Sequence, residues 1–489
     1  ARWRALLDSP RKPAFAQAAR TPKKGWSTMI KAGGVLAAIL LGVGVILLVR
    51  PLSGADQPNA PRKSAPQAEA AGAGEMRKPG PAPVEPARPP ADPAAPATAD
   101  EKKAVAQSVN ALGFDLYKKL AADVKGNLFF SPYSISTALN MTYAGARANT
   151  EAEMAKTLHF ALGQERQHAS CGALIADLNA PNGADGQPRG FKLAVANRLF
   201  GAKKYTFLPE FLGINEKLYG APLERMDFKG ATEASRKAIN TWVEQKTNDR
   251  IKDLIQAWQL DADTKLVLVN AIYFKGDWLE AFDKKQTRDE PFHLVSGKQA
   301  AAAMMHRTDD FRYYEEEGKF QAIELPYKGR ELSMLVFLPA RVDGLGAFED
   351  ALTGANLKKW SDGMAQEEVV LALPKFKLTW GTKDIAEHLK ALGMRDAFVY
   401  PKADFSGMDG TRELYISLVL HKAFVEVNEE GTEAAAATAP AMVTGAPQPA
   451  EAKPPKVFKA DRPFVFLIRE KATGAILFMG RVSNPAATE

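Results

Sequence analysis

Few residues in this 489-residue chain are spaced for bond-making chemistry. The six histidines, His159, His168, His293, His306, His388 and His421, are scattered, and none stands at metal-ligand spacing from another histidine or from the single cysteine, Cys171. No phosphate loop, dinucleotide glycine motif, HExxH zinc signature or GxSxG nucleophile elbow is present. No metal or cofactor is implied. A Ser/His/Asp triad needs no local signature, so hydrolysis stays open as a third class of function behind two that need no turnover. The stretch that stands out does conformational chemistry instead. Asn428-Glu429-Glu430-Gly431-Thr432-Glu433-Ala434-Ala435-Ala436-Ala437-Thr438-Ala439 follows the strand-like residues 421–427. An alanine run favours helix. Here Gly431 gives a flexible start, Thr432 and Thr438 are β-branched, and Pro440, Pro447 and Pro449 forbid a long regular helix. If this segment becomes a strand, Thr432, Ala434, Ala436 and Thr438 point one way and Glu433, Ala435 and Ala437 the other. Side chains this small could slide between two strands already packed. The plain alternative is an Ala/Pro linker, and this window alone does not separate the two.

Such a segment needs a sheet to enter. Residues 104–120 carry Val105, Val109, Leu112, Phe114, Leu116 and Leu120 at helical spacing. Helices are also predicted over 140–158 and 232–248. Strand-like apolar runs fall at 191–200, 265–274, 332–338, 369–373, 423–427 and 464–468. Strands and helices do not alternate regularly, which argues against a doubly wound parallel sheet and for an α+β domain with a large, mainly antiparallel sheet.

Apolar residues make up 46% and charged residues 25%, ordinary for a globular protein. With one cysteine no disulfide forms within the chain, and Cys171 reads as a buried or incidental thiol rather than a reactive one. The net charge of +7 is local: up to Lys103 there are 16 Lys and Arg against 8 Asp and Glu, and beyond it 48 against 49. No whole-domain nucleic-acid footprint follows.

The N-terminal fifth divides by composition. Residues 1–28 form a basic tail. Residues 32–49 are uncharged, and 18 helical residues rise about 27 Å, close to a ~30 Å hydrocarbon core. Residues 29–50 therefore read as a transmembrane signal-anchor, with the basic side cytoplasmic and the rest of the chain across the membrane. The alternative is a cleaved signal peptide, Ser53-Gly54-Ala55 being a passable processing site. Residues 51–103, rich in Pro and Ala, read as a disordered tether, and residues 104–489 as one folded domain.

Six collinear blocks stand out across 104–489. They are Asn127-Leu128-Phe129-Phe130-Ser131-Pro132-Tyr133-Ser134; Leu268-Val269-Asn270-Ala271 through Gly276-Asp277-Trp278; Leu373-Pro374-Lys375-Phe376; Ala403-Asp404-Phe405-Ser406-Gly407; the glutamate-rich hinge above; and Asp461-Arg462-Pro463-Phe464 with Phe478-Met479-Gly480 through Pro485. In this order the blocks resemble the serpin family of serine protease inhibitors, and the resemblance implies the serpin fold with an exposed reactive-centre loop. A target protease would cut that loop, which then enters the central sheet while the protease is still acyl-linked. By the same resemblance Ser131, Ser134, Asn270 and His421 form a polar shutter beneath the sheet. Trp278 marks where insertion begins, and Lys375 pairs with Glu429 at the loop root.

Counting forward from Glu429 at the family's spacing puts the scissile bond at Gly445–Ala446, within a window that includes Met442, Val443 and Thr444. Counting back from Pro463 puts it near Ala452–Lys453, because the loop is about seven residues longer than usual. A fixed hinge length favours the forward count. The window has no Arg or Lys, which points to an elastase- or subtilisin-like target. Residues 431–445 would span about 50 Å as a strand, close to the ~55 Å width of a domain this size. Pro440 lacks an N–H and could cost a ladder bond. It favours the second reading of the resemblance, a serpin-fold binding or scaffold protein that does not inhibit.

Overall fold

The computed structural model describes residues 40–50, 95–183, 189, 191–430 and 454–487. The first helix is set by Thr98, whose hydroxyl accepts the Glu101 N–H while the Glu101 carboxylate accepts the Thr98 N–H. This capping box starts helix α1 (Ala99–Asp123) five residues before the point that apolar periodicity suggests, because polar capping residues leave no apolar trace. Helices α2 (Pro132–Tyr143), α3 (Ala148–Thr157) and α4 (Gln164–Asn179) follow. The single helix expected over 140–158 is thus two. The chain turns at 144–147, where Gly145 packs so tightly on Met408 that no side chain fits. Helix α5 (Pro209–Tyr219) and helix α6 (Thr232–Lys246) complete the first half.

Two sheets carry the rest. The nine-stranded sheet runs β13 (Lys456–Lys459), β10 (Ala365–Pro374), β7 (Gln299–Glu316), β8 (Phe320–Pro326), β9 (Leu332–Pro339), β14 (Phe464–Glu470), β15 (Ile476–Val482) and β2 (Leu128–Phe130), with β6 (Arg288–His293) also on β7. The central six-stranded sheet has the order β11 (Phe376–Asp384), β12 (Tyr415–Val427), β1 (Leu40–Arg50), β5 (Leu266–Gly276), β3 (Phe191–Ala202) and β4 (Leu223–Met226). Every pair in it is antiparallel except β3 and β4. This is the α+β architecture with a large, mainly antiparallel sheet.

One strand was read otherwise from sequence. Leu40–Arg50 is not part of a membrane-spanning helix. It lies in the middle of the central sheet, paired with β12 on one side and β5 on the other. No described helix is long and apolar enough to cross a membrane. The single-pass membrane arrangement drawn from residues 29–50 is therefore overturned; residues 29–39 lie outside the described residues.

The physical reason is that this sheet is covered on both faces. Leu47 and Val49 sink into the main core, against which α2 packs. Ile46 and Leu48 face the other way, into a second cluster with Phe228, Ile239 and Val243, the last two on α6. A strand buried on both faces shows no alternation, and its continuous apolar run cannot be told from a buried or membrane helix by period.

Candidate functional site: the slot in the central sheet

Strands β5 and β12 are not neighbours. They stand one strand apart, and β1 fills the gap between them, so that Val45 lies in register with Asn270 on one side and His421 on the other. The residues expected to form the shutter lie along this gap. Ser131 N-caps α2, accepting the Ser134 N–H at 3.0 Å, and its hydroxyl donates to the Leu477 carbonyl at 2.6 Å. The Ser131 N–H donates to His421 Nε2 at 3.2 Å. The Ser134 hydroxyl donates to Asn270 Oδ1, and Asn270 Nδ2 donates to Asn197 Oδ1 at 2.7 Å. Asn197 Nδ2 in turn donates to the Tyr219 carbonyl at 2.7 Å. These groups are buried, so each bond broken without replacement costs about 1–3 kcal/mol.

Asn197 belongs to this network and was not anticipated. A signal existed: it is a lone amide within an apolar strand, directly cross-strand from Asn270. His421 and Asn270 need no separate explanation, since β12 and β5 flank the gap.

Burial pushes the pKa of His421 down to about 3, so the ring is neutral. Its Nε2 accepts a backbone N–H, which places the proton on Nδ1. That atom has no hydrogen-bond partner among the described residues. The ring packs near Trp380 and edge-on to Phe130. Ser131 therefore does not present its hydroxyl to His421, and no nucleophile–base pair arises between them. Cys171 is buried and its thiol is pushed up to about 12, an unreactive group.

At the upper end of the slot, β12 ends at Val427. The Trp278 indole N–H donates to the Asn428 carbonyl at 3.0 Å, and the ring stacks on Tyr327 with centroids 4.8 Å apart. Glu429 is only 4% exposed. Its carboxylate takes Lys375 Nζ at 2.9 Å and the Thr287 hydroxyl at 2.8 Å, while its carbonyl accepts the Phe282 N–H at 2.9 Å. Burial pushes this carboxyl up, but the Lys375 and Thr287 hydrogen bonds, its own backbone and the lysine charge outweigh that and hold it below its ordinary value. Glu430 pairs with Lys284. Thr287 and Tyr327 were not anticipated either; neither type carries a sequence signal of its own.

The chain thus reaches residue 430 pinned at the mouth of the slot. Gly431, Thr432, Glu433, Ala434, Ala435, Ala436, Ala437 and Thr438 of the hinge, and Met442, Val443, Thr444, Gly445 and Ala446 of the reactive window, lie outside the described residues.

The description "Serpin (serine protease inhibitor)" belongs to the family model that matches residues 107–485. The chain belongs to the serpin family. It is 44% identical over 379 residues to the leukocyte elastase inhibitor of Equus caballus, covering 76% of this chain and 97% of that one. It is 44% identical over 367 residues to its Homo sapiens counterpart, covering 74% and 93%. Among solved structures it resembles uncleaved ovalbumin, with a TM-score of 0.69 at 32% identity over 78% of this chain and all of that one. Human thyroxine-binding globulin gives 0.68 at 29% identity over 79% and 100%. The family is one of protease inhibitors rather than enzymes. Strand β1 lies outside the family match.

Proposed function

We propose that this serpin inhibits serine proteases of elastase or subtilisin type by a suicide route. The protease cuts the loop at Gly445–Ala446 or elsewhere in 442–446, and the freed hinge, residues 431–438, enters the slot between β5 and β12 with the protease still acyl-linked. The observation that carries this reading is the root of the loop: Glu429, buried and held by Lys375 and Thr287, fixes the chain at the top of a one-strand gap lined by Asn270 and His421. A chain turning back from β12 into that gap must run antiparallel to it, as a tight connection requires. About a dozen new ladder bonds at ~0.5–1.5 kcal/mol give on the order of 10 kcal/mol, enough to distort a linked protease. The names of the relatives support an elastase-like target.

Mixing the chain with an elastase-type and a subtilisin-type protease, followed by a denaturing gel, tests this. From a chain whose slot has been emptied, the expected product is a covalent band and a released C-terminal fragment beginning at or near Ala446. Full cleavage with no covalent band, from the native chain and from a chain whose slot has been emptied, would refute inhibition. The second reading, a serpin-fold binding or scaffold protein, is favoured by one specific observation: the slot is already filled by β1.

A further inference from the structure

We infer that Leu40–Arg50 is an internal plug, a strand supplied from outside the family domain that occupies the loop's insertion slot and holds the inhibitor off until it is withdrawn. The inference rests on the loop-insertion reading above for its consequence, and on independent observations for the plug itself.

The strand has the position and polarity that the loop would need, antiparallel to both β12 and β5. Its register extends from Leu40 opposite Glu426 and Lys275, just below the loop root, to Val49 opposite Leu266 and Arg50 opposite Tyr415. At ~3.3 Å per residue, 11 residues cover about 36 Å, most of the slot. Ile46, Leu47, Leu48 and Val49 are each fully buried, alternating between the two cores.

The lower end is fastened by polar contacts specific to this segment. Arg50 reaches Asp261 at 3.0 Å and donates to the Gln259 carbonyl at 2.7 Å. The Val49 carbonyl accepts the Lys265 N–H at 3.1 Å, and the Leu48 carbonyl accepts the Ser417 hydroxyl at 3.3 Å. An apolar run dropped into a gap by chance has no reason to end on an arginine that meets a carboxylate.

Connection within one chain is easy. The 44 residues 51–94 have a contour length of about 150 Å, against a domain width of ~55 Å. Two strands cannot share one slot. While β1 is in place, a cut loop has nowhere to insert, the acyl bond is free to hydrolyse, and the protease treats the chain as substrate.

Three forms of the full chain test the plug: the native chain, Leu47→Glu/Val49→Glu, and Leu47→Cys/Val419→Cys, whose positions are in register. The probe is an acetylated synthetic peptide of residues 431–445, read by melting temperature, alongside covalent capture of an elastase-type protease. The double glutamate variant is expected to take up the peptide with a rise on the order of 10 °C, and to form at least about tenfold more covalent complex than the native chain. The cysteine pair is expected to close within one chain and to accept no peptide.

Equal peptide uptake by the native chain and the glutamate variant overturns the plug, as does a cysteine cross-link that forms between two chains or not at all. Peptide entry confined to the glutamate variant, with no covalent complex from any form, keeps the plug and refutes inhibition instead. Should the glutamate variant fail to fold, Arg50→Glu, which sets a carboxylate against Asp261, must raise peptide uptake above the native chain or the plug is refuted.

Discussion

The proposed mechanism sets two segments of this chain in competition for one place, and they are built on opposite principles. Strand β1, Leu40-Leu41-Gly42-Val43-Gly44-Val45-Ile46-Leu47-Leu48-Val49-Arg50, is made mostly of large apolar residues. The hinge, from Gly431 through Thr438, is made of alanine, threonine and glycine with one glutamate. At ~0.8 kcal/mol per buried CH₂, a leucine in the slot outdoes an alanine by roughly 2 kcal/mol, and several positions differ in this way. Pro440 weakens the hinge further by removing a donor. At equilibrium the large strand holds the slot. What the hinge has instead is access: small side chains pass between packed strands with little overlap, whereas leucines need the sheet to open widely. A segment that fills a sheet well and one that enters it quickly are different sequences.

The largest effect expected from this contrast is on activity. In a chain whose slot has been emptied by Leu47→Glu/Val49→Glu, adding Thr432→Arg should convert an inhibitor wholly into a substrate, because a charged, bulky side chain must then enter the core. The same Thr432→Arg in the otherwise native chain should leave the melting temperature unchanged, since β1 fills the slot there. Covalent complex on a gel and a melting curve read the two. Normal inhibition by the triple variant would break the parity assigned to the hinge.

Next comes packing. Leu47→Ala should cost about 2–5 kcal/mol in denaturant unfolding, or as much as the docking of β1 is worth if the strand leaves before the domain melts. Ala436→Gly should change the stability of the intact chain by less than about 0.5 kcal/mol. Equal losses at the two positions would mean that both segments are packed, and the comparison would fail.

Acid should act through two buried histidines, one beside the slot and one on α4. His421 and His168 are both pushed down from 6.5 to about 3 by burial. Between those values the unfolded chain binds more protons than the folded one. Stability is therefore complete above pH 6.5 and falls as pH drops toward 3, by up to ~1.4 kcal/mol per pH unit for each ring. His421→Asn should roughly halve that slope. An unaltered slope would show that the ring titrates normally and is not enclosed.

The smallest effect concerns the root of the loop. Glu429→Gln keeps the shape but removes the charge facing Lys375, and should cost about 1 kcal/mol while slowing insertion in the emptied variant. Its signature is a larger fraction of substrate turnover at unchanged affinity for the protease.

Much of this was legible in advance for specific reasons. The α+β class followed from strand-like runs that do not alternate with helices. The motifs around Ser131 and Asn270 contain polar groups that meet under the sheet beside His421, and those around Trp278 and Lys375 contain side chains that hold the loop root. Asn197 was overlooked although its place in an apolar strand was a signal. Thr287 and Tyr327 had none, because what they do depends only on which elements stand beside Glu429 and Trp278.

By itself the sequence determined the apolar content of residues 32–49, the small residues of the hinge, the absence of catalytic spacing and the family to which residues 107–485 belong. It could not decide what surrounds the apolar run. A stretch without polar side chains satisfies a bilayer and a doubly covered sheet equally well, since both ask only for apolar contact on every side. Tertiary structure chose between them: β5 and β12 stand one strand apart, with backbone donors and acceptors facing the gap, and a ladder on both edges of Leu40–Arg50 satisfies them.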